Sequence, residues 1–205
     1  MALTVAQLST QIEADLDWRH AELAVFRELL ILDAGNSIRR NVLFRGAWAI
    51  LYAHYEGFCK YSLQLLAEFL QGLPDCAALP HSTFLFVHDK KMRQAKGLPT
   101  SEAYEFFRVT VEALRAGPPP VGSVDTKSNL WPNLLDKILI DLDLQSYGVV
   151  QSPVMVKTLV SRRNDIAHGQ KVFIKDLTYY KEYEQVVSEI MYSLALAIVD
   201  RASRY

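Results

Sequence analysis

Between Leu159 and Gly169 the chain reads Leu-Val-Ser-Arg-Arg-Asn-Asp-Ile-Ala-His-Gly, gathering a guanidinium, an amide, a carboxylate and an imidazole between Arg163 and His168. Imidazole suits proton transfer near neutral pH, and guanidinium suits the gripping of a phosphate through paired N–H donors. On a helix, Asn164 and Asp165 lie four and three positions before His168, so both can approach its ring and influence its tautomer or charge. Arg163 lies five positions before it, about 140° round an ideal helix, so only its long reach lets the two converge on one phosphate. They need not act within one chain, because a twofold partner would bring a second Arg163 and His168 to the same groove. The same residues also suit an ordinary helix end, with basic groups complementing the macrodipole and His168 preceding a glycine cap.

The elements that must position this segment are helical. Leu8, Ile12, Leu16, Leu23, Phe26 and Leu30 recur at mostly helical spacing and predict one helix from Thr4 to about Asp33, broken or bent at Ala34-Gly35-Asn36-Ser37. A second helix is predicted from about Ile38 to Gln71, its interior dense with residues such as Trp48, Leu51, Tyr52, Tyr55 and Phe58. A long connection follows over about 72–99, with β-leaning character at Phe84-Leu-Phe-Val87. Helix returns over Ser101–Ala116, where Tyr104, Phe107, Val111 and Leu114 share a face, and Gly117-Pro-Pro-Pro120 stops it. After a second loop over about 117–128, Trp131-Pro132 opens a helix with Leu134, Leu135, Ile138, Leu139 and Leu142 facing inward. Ser152-Pro153 opens the helix that carries the polar motif, and Gly169 ends it. Asp176 can cap a last helix that runs to the C-terminus. The expected architecture is an all-α helical bundle with two loop insertions, read as one domain over residues 1–205. Trp48, Leu51, Phe58, Leu135, Leu159 and Ile190 are expected in its core.

Composition narrows the chemistry. Half of the 205 residues are hydrophobic, enough for a substantial core, and 22 Lys plus Arg nearly balance 23 Asp plus Glu. Any anion site must therefore be local. Lys157, Arg162, Arg163 and Lys171 outnumber Asp165 around the motif, while Lys90, Lys91, Arg93 and Lys96 cluster in the first long connection. Such runs track phosphates only where folding places them beside His168. Glu56 is a candidate to line the same cleft, whereas His54 reads as a packed or interfacial residue. His54-Tyr55-Glu56 resembles a zinc-deaminase His-x-Glu only superficially, because Pro74-Asp75-Cys76 lacks the second cysteine that chemistry needs. Cys59 and Cys76 form neither a Cys-x-x-Cys pair nor a disulfide framework, and no Gly-rich phosphate loop or serine nucleophile elbow is present. With no secretory start and no apolar run long enough to span a bilayer, the expected setting is cytoplasmic, without membrane association.

Arg163-x4-His168, with Asn164 beside the arginine, resembles the Arg-x4–6-His signature of HEPN domains (higher eukaryotes and prokaryotes nucleotide-binding). Leu51-Tyr-Ala-His-Tyr-Glu-Gly-Phe58, Asn129-Leu-Trp-Pro-Asn-Leu-Leu135 and Leu159 through Gly169 resemble, in order and spacing, the MAE-like HEPN branch. The likeness covers the chain from about Arg39 onward, with Tyr55 standing where many members of the branch carry Trp. It implies a HEPN-type bundle and a metal-independent endoribonuclease of toxin–antitoxin, phage-defence or RNA-processing systems, with Arg163 and His168 as the catalytic pair. The resemblance puts Asn164 at the polar position beside the arginine. Asp165 by its helical spacing and Glu56 by its expected place in the cleft are further candidates to support the pair, and Arg162, Lys157 and Lys171 by local charge are candidates to hold RNA phosphates. No cofactor or metal is implied. The implied partners are an RNA substrate, a second copy forming a homodimer with a composite cleft, and an antitoxin, nucleotidyltransferase or defence-system protein. Other HEPN domains have lost catalysis and bind RNA, nucleotide or protein, which is the alternative reading.

Overall fold

A computed structural model describes residues 3–32, 37–74, 79–89, 93–116, 124–144 and 148–205. Among these residues are seven α-helices, one 3-10 turn and no strand: α1 (Val5–Leu32), α2 (Ser37–Gln71), α3 (His81–Val87), the 3-10 turn (Arg93–Ala95), α4 (Thr100–Ala116), α5 (Pro132–Asp141), α6 (Pro153–Ala167) and α7 (Leu177–Ala202). The helical bundle read from the periodicity is the observed architecture. The helix break at Ala34-Gly35-Asn36, the stop at Gly117 to Pro120, Cys76 and the lysines at 90 and 91 lie outside the described residues.

α2 has 35 residues, about 50 Å of helix, and α1, α7, α6 and α3 all pack on it. Its buried face carries Trp48, Leu51, Tyr55 and Phe58, each fully enclosed, and the other expected core residues Leu135, Leu159 and Ile190 are buried as well. α1 places Leu8, Ile12, Leu16, Leu23 and Leu30 inside and leaves Phe26 half-buried. Local chain chemistry sets several helix ends. Pro132 and Pro153 occupy first turns, where a missing N–H costs nothing, although Ser152 makes no side-chain capping bond. Asp176 accepts a hydrogen bond from Tyr179 N at 2.8 Å and so caps α7.

One expectation is overturned. Phe84-Leu85-Phe86-Val87 is not β-leaning but lies within α3, which packs against α2 and α5. Thr83 and Val87 share the buried face at helical spacing, so tertiary burial outweighs the preference of aromatic and β-branched residues for strands. In α4, Tyr104 and Phe107 are exposed, and the rest of the face they were expected to share, Val111 and Leu114, lies outside the described side chains.

His54 is packed, as expected. Its Nε2 lies 2.8 Å from Glu22 Oε2, and its Nδ1 lies 3.5 Å from Nη1 of Arg19, whose Nε and Nη2 face Asp15. Arg19 fits against Gly57, where an added Cβ would come within 2.8 Å of the guanidinium. Burial lowers the pKa of His54, with Glu22 opposing and Arg19 assisting. Burial likewise lowers the pKa of His20 and His88. Through these three histidines the folded chain binds fewer protons than the unfolded chain as pH falls through about 6.5, and their contribution to stability falls with it. Denaturant midpoints are expected to drop progressively below pH 6.5, and His54→Gln to flatten that slope; a flat midpoint between pH 7 and 5.5 would contradict the assignment.

No helix among the described residues is long and apolar enough to cross a membrane.

Candidate active site

α6 reaches the motif with Val156, Leu159 and Val160 buried against the core, which fixes its rotation. Trp48 Nε1 donates to the Leu159 carbonyl at 3.2 Å, tying α6 to the middle of α2 one turn before Arg163. The helix ends as the sequence predicts. Gly169 has φ +75°, its N–H donates to the Ile166 carbonyl, and Gln170 N–H donates to the Asp165 carbonyl, a Schellman closure. A Cβ at Gly169 meets nothing, so the constraint is the left-handed backbone alone. Gly169→Val is expected to cost about 1–2 kcal/mol, read as a lowered melting temperature and weakened function. Unchanged melting would remove Gly169 from this role.

The rotation of α6 divides the motif. Arg163 points into the bundle: a terminal nitrogen lies 3.4 Å from Glu56 Oε2 and donates to the Ser128 carbonyl at 3.3 Å. Its guanidinium carbon sits 3.9 Å from the centre of the Tyr52 ring, a cation–π contact. Both Arg163 and Glu56 remain about one-fifth exposed, so the pair is open to an incoming anion. Tyr52 is held in turn, its hydroxyl accepting from Leu130 N at 3.0 Å, and burial pushes its pKa up to about 12, so it stays a neutral phenol. The structure thus brings Glu56 and Arg163 together across 107 positions of sequence. Tyr52 and the Ser128 carbonyl were missed by sequence reasoning. Tyr52 precedes Glu56 by one helical turn, which was the available signal; the carbonyl had none.

His168 lies at the C-cap of α6 and is exposed. Among the described residues neither Asn164, Asp165 nor Arg163 makes a side-chain hydrogen bond to its ring, and its own backbone N–H donates to the Asn164 carbonyl. Lys157, Ser161, Asn164 and His168 follow one another along a single side of α6, with Lys157, Ser161 and His168 exposed and Asn164 half-buried. Lys171 is exposed just beyond the helix. Arg162 lies over the rings of Trp48 and Tyr179, with its guanidinium carbon 5.4 and 5.0 Å from their centres, rather than standing free in solvent. Arg93, from the other basic cluster, pairs with Asp89 at 2.6 Å.

Chemically, the site offers an accessible imidazole at the end of a stripe bearing a lysine and a hydroxyl. Turned toward α2 on the same helix is a guanidinium pre-oriented by a carboxylate, a phenol ring and a carbonyl. Among the described residues no group of three or more His, Cys, Asp or Glu side chains is placed to hold a metal ion.

No curated protein and no solved structure matches the chain. The model of the MAE_28990-like HEPN family matches residues 8–205. With its helical bundle, its Arg163-x4-His168 motif and a match over almost its whole length, the chain belongs to the MAE_28990-like HEPN family, a membership that points to a nuclease or RNA-related module.

Proposed function

We propose that the chain is an endoribonuclease that needs no metal, acting as a homodimer and serving as a toxin or defence effector governed by a partner such as an antitoxin, a nucleotidyltransferase or another defence protein. What supports this reading most is the accessible His168 at the end of the Lys157–Ser161–Asn164 stripe, in a member of this family whose Arg163, on the same helix end, is held by Glu56. RNA supplies its own nucleophile. The 2′-oxygen loses its proton to an imidazole and bonds to the adjacent phosphorus; the P–O5′ bond breaks, and the departing oxygen takes a proton from an imidazolium. Guanidinium stabilises the charge that gathers on phosphorus, with Lys157 and Lys171 along the approach of the strand. Two copies related by a twofold axis would bring the Arg163 of one chain and the His168 of the other to one phosphate, the same imidazole taking the 2′ proton and then giving it to the departing oxygen.

The pairing of Arg163 with Glu56 rather than with His168 favours a second reading, a HEPN module that binds RNA, nucleotide or protein without cutting. One experiment separates them. Purified protein freed of any bound antitoxin is incubated with mixed cellular RNA in EDTA, and the expected products end in a 2′,3′-cyclic phosphate or its hydrolysis product while DNA stays intact. Cutting that requires added metal, or that persists in His168→Ala, would defeat the mechanism; RNA that is bound and left whole would favour the binding module.

A further inference from the structure

The Arg163 site has a neighbour. A cavity of about 510 Å³ opens between α3 and α5, and the segment that separates it from Arg163 is the turn Asp125–Ser128. Lys127 lines the cavity, while the next residue, Ser128, receives the Arg163 hydrogen bond through its carbonyl. Both residues of that turn have positive φ, 50° and 65°, a conformation that side chains other than glycine adopt at the expense of strain. The turn keeps it because it is over-determined. Asp125 Oδ1 accepts from Lys127 N at 2.8 Å, Asn129 N donates to the Thr126 carbonyl, and Gln64 Oε1 accepts from Val124 N at 2.7 Å. One rigid turn thus presents a cation to the cavity and a carbonyl to the candidate catalytic arginine.

The lining of the cavity has two characters. Leu85, Phe86, Leu134 and Ile138 form an apolar wall able to cover one face of a flat ring. Lys127 and Lys137 supply cations, and Asp125 and Asp141 supply carboxylate acceptors. A volume of this size admits a single nucleotide unit rather than a helix or a folded chain.

We infer that this cavity is a subsite for the RNA nucleotide flanking the scissile phosphate, and that it selects bases carrying an exocyclic amino group. The inference rests on the ribonuclease reading for the position of the cut, and its own geometry supplies the rest. A backbone that places one phosphate at Arg163 carries the adjoining nucleotide across the Lys127–Ser128 turn, where Lys127 meets the next phosphate and the base lies on Leu134 and Ile138. Single-stranded RNA is read in this way, by splayed bases packed on side chains and hydrogen-bonded at their edges. Carboxylates accept from the amino groups of cytosine, adenine and guanine. Uracil offers two carbonyl oxygens and one ring N–H, so its edge meets the same carboxylates with repulsion.

The test follows the methyl NMR signals of Leu134 and Ile138 while the full chain is titrated with each of the four ribonucleoside 5′-monophosphates and, separately, with inorganic phosphate. Cytidine, adenosine and guanosine monophosphates are expected to shift both residues, with uridine monophosphate weaker by about tenfold. Leu134→Trp, which fills the cavity, should abolish the shifts at Ile138. Should that variant not fold, Asp125→Asn combined with Asp141→Asn keeps the shape and the Lys127 turn and should erase the discrimination against uridine. Absence of shifts with all four nucleotides, equal binding of uridine monophosphate, or the same shifts from phosphate alone would each overturn the subsite. Selective binding by a protein that leaves RNA uncut would uphold the subsite and overturn the ribonuclease reading. Where RNA is cut, mapped ends should avoid uracil at the flanking position in the wild type and lose that bias in the double variant.

Discussion

In cleavage assays on RNA, His168→Ala is expected to lower kcat by about 10²–10⁴-fold, the range general acid–base catalysis supplies. Arg163→Ala is expected to lower it by about 10²–10³-fold, as removal of a preorganised donor to developing charge does elsewhere. The two losses have different structural signatures. His168 is exposed and its ring is without a side-chain partner among the described residues, so the melting temperature should not move. Removing the Arg163 side chain leaves Glu56 without its ion pair and the Tyr52 ring without its cation, so a small stability loss accompanies that variant. Arg163→Lys keeps a charge but loses the planar fork, and should recover only part of the rate. Because Arg163 turns toward α2 while His168 ends an exposed stripe, the two are expected to cooperate across a twofold interface. A mixed dimer of Arg163→Ala and His168→Ala then retains one complete pair and regains activity that neither parent dimer has. Isolating mixed dimers by two affinity tags decides the matter: inactive mixed dimers would confine the pair to one chain, and a fully active monomer would refute the shared cleft.

Trp48→Ala should be the most damaging single truncation in the core, costing about 3–5 kcal/mol. For a chain of this size that is a fall in Tm on the order of 10 °C. The indole is fully buried, its ring centre lies 4.6 Å from that of Tyr183, and its N–H holds the Leu159 carbonyl. Three helices, α2, α6 and α7, therefore meet on one side chain. Trp48→Phe keeps most of the apolar contact and gives up the hydrogen bond, so it should cost less than half as much. Equilibrium unfolding in urea would measure both, and a loss below about 1 kcal/mol for the alanine variant would show that α6 is held mainly by other contacts. Arg162 lies over the same indole, so the truncation should also loosen the helix end that carries His168.

What could be read from the sequence was what is encoded within a few neighbouring residues. Pro132, Pro153, Asp176 and Gly169 mark helix ends because their effects act through their own backbone or the next turn. The inward residues of α1 and α2 were legible because long helices repeat their pattern many times. α3 was misread because it is only seven residues long and rich in aromatic and β-branched side chains, too short for its period to show. The candidate pair Arg163 and His168 was legible as a pattern, but the division between them was not, since it depends on which face of α6 Trp48 and Leu159 bury. The contacts that orient Arg163 come from Glu56, Tyr52 and a carbonyl at position 128, none of which lies near it in the chain. The polar contacts of α1, Asp15 with Arg19 and Glu22 with His54, were equally hidden, because charged residues on a helix ordinarily face water.

Leu130 belongs to no helix, yet its N–H donates to the Tyr52 hydroxyl at 3.0 Å and its carbonyl accepts from the Tyr55 hydroxyl at 3.1 Å. Both phenols project from the buried middle of α2. The stretch around Leu130 therefore takes its permanence from α2 rather than from any ladder of its own. On the timescale of amide exchange it should behave as part of the long helix, opening only when α2 itself comes apart, and a protease that cuts exposed connections should find no foothold there. A piece of chain that looks like a loop is in this sense a side branch of the helix, and the floor beneath Arg163 is as durable as the bundle's centre.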